Sequence, residues 1–200
     1  DELFGDAGTT LESVLGLQPL SILARHAWTD GARLDLFADT ARTADAIAAF
    51  AGAADARGFL EFSARARRIY ATLERPYLRA ARGGPWSLVR RSGWRRLPDL
   101  MRIGPFARLW PALGTHFRDP RLRQLFGRYA TYCGASPYHA PATLMLIAHV
   151  EQDGVWSVNG GMHALARALA RTAQARGARF RFSTDVARVC IERGRTVGVE

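Results

Sequence analysis

Leu125-Phe126-Gly127-Arg128-Tyr129-Ala130-Thr131-Tyr132, followed by Gly134-Ala135-Ser136-Pro137-Tyr138 and Ala140-Pro141-Ala142, is the stretch on which the reading of this chain turns. Just ahead of it, Asp119 offers an N-cap carboxylate and Pro120 suits the first helical position, where a missing N–H costs nothing. Leu122, Leu125, Phe126, Tyr129 and Tyr132 then recur at helical spacing on one face, and Gly134 supplies the residue that ends a helix. Ser136-Pro137 and Pro141 punctuate a turn. The run from Ala142 to Val150 is almost wholly apolar and reads as a buried helix.

Upstream, Pro19 to His26 and Arg33 to Phe37 read as two strands joined by Thr29-Asp30-Gly31, a strong hairpin signal. Asp39 or Thr40 then caps an alanine-rich helix to about Phe50. A longer helix is expected from about Ala53 to Ala80, with Phe59, Phe62, Ala66, Ile69, Leu73 and Tyr77 on its inner face. Arg82 to Pro85 breaks it. From Trp86 to Phe117 tryptophans and leucines alternate with arginines, and Pro98, Pro105 and Pro111 cut the segment into short helical pieces.

Downstream the pattern changes. Gly154 to Val158 reads as a strand, Gly160-Gly161 as a tight turn, and Met162 to Arg176 as a helix with Leu165 and Leu169 inward and Gly177 at its end. Strands follow at Arg179 to Phe182, Val186 to Ile191 and Val197 to Val199. The fold class is therefore α+β, a mixed sheet-and-helix chain, with a division at residues 1–153 and 154–200. The opening on Asp1 and the stop at Glu200 inside a β-like run mark an expected internal piece of a longer polypeptide.

The 28 basic residues are all arginine and outweigh 18 acidic ones, giving a formal charge of +10. That balance favours phosphate-bearing partners. The arginines are spread over every segment, however, with no zinc-finger spacing, ribonucleoprotein motif or basic zipper, so a nucleic-acid partner is not expected. Cys133 and Cys190 form neither a disulfide framework nor a metal site, and five scattered histidines show no ligand spacing. No run approaches the roughly 18 apolar residues of a membrane span, and no leader pattern opens the chain. A cytoplasmic, peripherally membrane-associated protein is the expectation.

The segment quoted first resembles the centre of bacterial carotenoid desaturases of the phytoene desaturase family. Gly154-Val155-Trp156-Ser157-Val158, Gly160-Gly161-Met162 and Asp185-Val186 continue the likeness. Ala24-Arg25-His26-Ala27-Trp28, Asp30-Gly31 and Leu34-Asp35-Leu36-Phe37-Ala38-Asp39 are similar in particular to the hydroxyneurosporene or methoxyneurosporene desaturase branch. The resemblance implies an amine-oxidase-like flavoprotein: residues 1–153 form a substrate-binding domain and residues 154–200 return to the FAD-binding domain. It implies an FAD-dependent enzyme that dehydrogenates a C40 carotenoid. The glycine-rich fingerprint that seats a dinucleotide pyrophosphate is missing from these 200 residues. FAD is therefore expected to be held mainly by segments outside them, and the isolated piece to be inactive and to bind FAD weakly.

Under that resemblance, Phe126, Tyr129, Tyr132, Tyr138 and Met145 are candidates for the wall of a substrate tunnel, although the same spacing describes a packed core. Val186, Gly160 and Gly161 are the candidate cofactor contacts; the glycines also serve a turn that Cβ atoms would obstruct. Arg128, His139 and His149 are ionisable groups read as solvated or structural ahead of any place beside a cavity, and no catalytic acid or base can be named. Trp94, Arg95, Arg96 and Trp110 are candidates for contact with an anionic membrane surface, where a carotenoid must be collected. A carotene isomerase, a ketolase or a retinol saturase is the alternative within the class; a basic nucleic-acid-binding module is the alternative outside it.

Overall fold

In the computed structural model, residues 2–80, 93 and 97–200 are described. The expected break at Arg82 to Pro85, and Trp86, Trp94, Arg95 and Arg96, lie outside them. The chain divides into two compact units, residues 19–156 and residues 1–18 together with 157–200.

The larger unit begins with the hairpin. Ile22–Ala27 pairs antiparallel with Arg33–Phe37, placing Arg25 opposite Asp35 and His26 opposite Leu34. The Asp30 carboxylate accepts the Ala32 N–H at 3.0 Å, and Gly31 takes φ +83°, a conformation a Cβ disfavours. Leu34 and Leu36 point into the core. Asp39 then caps the helix Thr40–Ala51 by accepting the Ala41 and Arg42 N–H groups. The buried Thr43 hydroxyl binds both the N–H and the carbonyl of Phe37, locking helix to strand.

The helix Ala53–Leu73 is the axis of this unit. Phe59, Phe62, Ala66, Ile69 and Leu73 are buried along one stripe. Tyr77 departs from the expectation: the last turn, Glu74–Leu78, widens to a π-helix and leaves Tyr77 58% exposed, because the extra residue per turn rotates it off the stripe. Phe59, Phe62, Phe117 and Phe126 form an aromatic knot, with Phe117 and Phe126 stacked at 4.8 Å between centroids. One polar contact and one close backbone approach bring the 116–119 segment to this helix. The buried Asp55 carboxylate accepts the Arg118 N–H at 2.6 Å, and Gly58 lets the His116 carbonyl rest against the helix backbone.

Asp119 and Pro120 start the helix Pro120–Gly127 as expected, with Asp119 accepting the Arg121 N–H at 2.8 Å. The expected continuous helix tightens into 3₁₀ over Arg128–Cys133 before Gly134 ends it in the left-handed region. The run from Ala142 also differs from a buried helix: Ala142–Met145 is 3₁₀ and Leu146–Asp153 is α. Only Ala142, Met145 and Ala148 are fully inside, while Val150 is 48% exposed. Hydropathy alone overstates burial where a helix lies on the surface of a core.

In the other unit, the helix Met162–Ala175 and the antiparallel hairpin Val189–Glu192 with Arg195–Val199 form close to where they are expected. The strand expected at Arg179 to Phe182 does not form; the stretch is irregular, with Phe180 and Phe182 stacked at 5.8 Å, and among the described residues it has no ladder partner. The next strand begins at Val189 rather than Val186. On the helix, Ala168 is buried whereas Leu169, expected inward, is 36% exposed.

Candidate functional site

The chemistry of the larger unit gathers on Glu151, in the last turn of the helix Leu146–Asp153. Its carboxylate faces the 3₁₀ segment Arg128–Cys133, whose tight winding presents three donors in one direction. Arg128 Nη1 donates to Oε1 and Nη2 to Oε2, both at 2.9 Å, a bidentate pair. The Tyr129 hydroxyl donates to Oε2 at 2.9 Å and the Tyr132 hydroxyl to Oε1 at 3.3 Å. The Arg128 guanidinium also lies 4.7 Å from the centroid of the Tyr129 ring.

Each carboxylate oxygen thus accepts two hydrogen bonds, leaving no lone pair unused for a reacting proton. Burial, with Glu151 beside it, pushes the Tyr129 hydroxyl well above its ordinary value, so the phenol stays a donor. Burial works against the charge on Arg128, but its hydrogen bonds to Glu151 prevail and hold its pKa above the ordinary value. The cluster orients groups; it does not move protons. His26, on the hairpin, borders it: burial and then the charge of Arg128 lower its pKa, and its Nε2 is enclosed without a partner among the described residues.

The five tunnel candidates separate into two sets. Phe126, Tyr129 and Met145 are at most 1% exposed and belong to the packed core, whereas Tyr132 is 65% and Tyr138 55% exposed. The void beside Phe126, Tyr129, Phe59, Leu36 and Glu151 holds about 10 Å³, close to the least volume that admits one water. Among the described residues the five thus divide between core and surface: three are packed inside, and the two tyrosines are exposed. Trp110 packs its ring against Tyr138 at 5.0 Å and is half-buried. His149 packs edge-on to Tyr70 at 4.9 Å, and His139 is exposed.

The sequence reading missed Glu151. Its one signal was periodicity: Met145, Ala148 and Glu151 recur three apart, placing a carboxylate on the buried face of an otherwise apolar helix. In the other unit, Gly160 and Gly161 take φ +80° and +78° and lead into the helix Met162–Ala175, whose start has no side-chain cap. Val186 is 56% exposed and stands outside the strand. An open groove of about 400 Å³ runs past Ser13, Asn159, Arg167 and Arg171.

The family model of the flavin containing amine oxidoreductases matches residues 10–200. A hydroxyneurosporene desaturase of Rubrivivax gelatinosus is 54% identical over 200 residues, covering 100% of this chain and 38% of the relative. A hydroxyneurosporene desaturase of Cereibacter sphaeroides is 44% identical, covering 100% of this chain and 40% of its own. A phytoene dehydrogenase of Streptomyces griseus is 33% identical over 94% of this chain and 37% of its own. The chain spans about two fifths of the length of these curated relatives.

Proposed function

This chain belongs to the flavin containing amine oxidoreductase family, and from that premise we propose that the full-length protein is an FAD-dependent carotenoid desaturase acting on a hydroxyneurosporene-type polyene. The observation that carries the reading is the 54% identity to a hydroxyneurosporene desaturase, which extends over the whole chain. In this reading residues 19–156 contribute to the substrate domain, and residues 157–200 with 1–18 contribute to the flavin domain.

Tyr132 and Tyr138 present aromatic faces to the polyene, with Trp110 supporting Tyr138, while Phe126, Tyr129 and Met145 form the rigid core behind them. Gly160, Gly161 and Val186 fit one edge of the cofactor: the double-glycine turn opens a helix with no side-chain cap, a place suited to an anionic oxygen. FAD, when bound, supplies the hydride acceptance that the chain's own side chains lack. Most of its contacts fall to the part of the protein beyond these 200 residues.

Collection of substrate from a membrane is supported by exposed apolar side chains on both sides of residues 81–92: Tyr77 and Leu78 before, Met101 at 57% and Phe106 at 88% exposure after. Among the described residues no helix is long and apolar enough to cross a membrane. Trp94, Arg95 and Arg96 supply its expected anchors. Replacing Met101 and Phe106 by serine lowers association of the full-length protein with anionic liposomes; unchanged association removes this surface as the anchor.

The decisive test is product analysis with purified full-length protein, FAD and a hydroxylated neurosporene. One added double bond lengthens the conjugated system and shifts absorption to the red. FAD-loaded protein that never extends the polyene overturns the reading.

A further inference from the structure

We propose that Glu151 determines substrate specificity, accepting a hydrogen bond from a hydroxyl at the end of the polyene in the position that Tyr132 occupies. This rests on the desaturase reading above. Of the four hydrogen bonds to the carboxylate, three at 2.9 Å come from the buried Tyr129 and from Arg128, which is 27% exposed. The fourth is the longest, 3.3 Å, and comes from a tyrosine that is 65% exposed. A hydroxyl arriving from outside replaces that one donor without opening the core.

The chemistry of such a substrate calls for a site of this kind. A hydrocarbon rod slides along an apolar wall at little cost, so its register is fixed by whatever polar group it carries. A site that hydrogen-bonds a substrate hydroxyl discriminates strongly against the analogue lacking it when its own polar group is then left unpaired; here Tyr132 keeps Glu151 paired in that case, so the wild-type preference is modest and grows when the tyrosine hydroxyl is removed. Here the carboxylate side chain is 17% exposed and its partner Arg128 27%, so the pair is half withdrawn from water beside apolar neighbours. A buried ion pair adds little to stability compared with apolar packing, so a purely structural link has no need of charge. The guanidinium allows a carboxylate to stand in this wall, and Tyr129 fixes its rotation, leaving the Tyr132 position as the one that faces outward.

The test uses full-length FAD-loaded protein and two substrates, a carotenoid with one terminal hydroxyl and its hydroxyl-free counterpart, and reads the ratio of kcat/KM between them. Wild type favours the hydroxylated substrate by about 3- to 10-fold, since its hydroxyl replaces a long hydrogen bond with a shorter one rather than filling an empty acceptor. Glu151→Gln brings that ratio close to one, whatever it does to the absolute rates. Tyr132→Phe raises the ratio by about tenfold, since it removes the competing donor and leaves the carboxylate one hydrogen bond short with the hydroxyl-free substrate. A merely structural Glu151 lowers both substrates alike and leaves the ratio unchanged, which overturns the proposal. So does a ratio that is unchanged or falls in Tyr132→Phe, which places the reader at the tyrosine itself or elsewhere. Should Glu151→Gln fail to fold, Tyr132→Phe decides alone: a raised ratio supports the proposal and an unchanged or lower one overturns it. Wild type that desaturates neither substrate overturns the desaturase reading and this proposal together, and that failure is visible before any variant is made.

Discussion

Gly58 faces the core in the second turn of the helix Ala53–Leu73, and a Cβ added there stands 1.8 Å from the His116 carbonyl oxygen and 2.9 Å from its carbon. Non-bonded heavy atoms rest at roughly 3.5 Å, so Gly58→Ala forces helix and loop apart by more than about 1.5 Å. The obstacle is backbone, and it cannot rotate away. The neighbouring contacts then loosen together: the 2.6 Å bond from the Arg118 N–H to Asp55, and the packing of Phe62 against His116 and Phe117. Alanine recovers about 1 kcal/mol of helix propensity. Overpacking against a rigid neighbour costs about 3 kcal/mol or more, so a net loss of roughly 2–4 kcal/mol is expected. Gly114→Ala is the control, because its Cβ meets only the Arg123 side chain at 3.8 Å, an ordinary contact. Urea unfolding of both variants reads the difference through the midpoint at unchanged slope. A Gly58→Ala protein as stable as Gly114→Ala would refute the close approach and with it the placing of the 103–117 segment.

Asp55→Ala leaves the Arg118 and Asp119 N–H groups without their acceptor and costs about 1–3 kcal/mol, while Asp55→Asn, which keeps one carbonyl oxygen, costs less; equal stability of all three proteins in urea would exclude the staple. A second expectation concerns pH. Burial is the largest cause lowering the pKa of both His26 and His116, with Arg128 and Arg65 respectively next. The folded protein therefore binds fewer protons than the unfolded chain once pH falls below about 6.5, so stability declines through that value and levels off below the folded pKa values. Urea midpoints at pH 7.5 and 5.5 check the sign, and replacing both histidines by glutamine shrinks the difference; a midpoint that rises on acidification would contradict the burial.

Local rules sufficed for a good part of this molecule. Asp-Gly with flanking alternation specified the hairpin, Asp39 and Asp119-Pro120 specified two helix starts, and the spacing of Phe59, Phe62, Ala66 and Ile69 specified the buried stripe of the longest helix. These are outcomes of backbone geometry within a few residues, and the order of amino acids is enough to express them. Family membership was legible in the same way, from the aromatic segment and the Gly-Gly-Met turn.

Tertiary structure alone decided what each face meets. Phe126 and Tyr132 share one sequence stripe, yet the change from α to 3₁₀ at Arg128 sends the first into the core and the second to the surface. Arg179 to Phe182 has the alternation of a strand, but a strand exists only where a partner supplies its hydrogen bonds, and such a partner is not specified locally. Glu151 lies 23 residues from the arginine that pairs with it. Nothing in the neighbourhood of either residue encodes the other; the two meet because the core between them packs in one way, and that packing is a property of the whole chain.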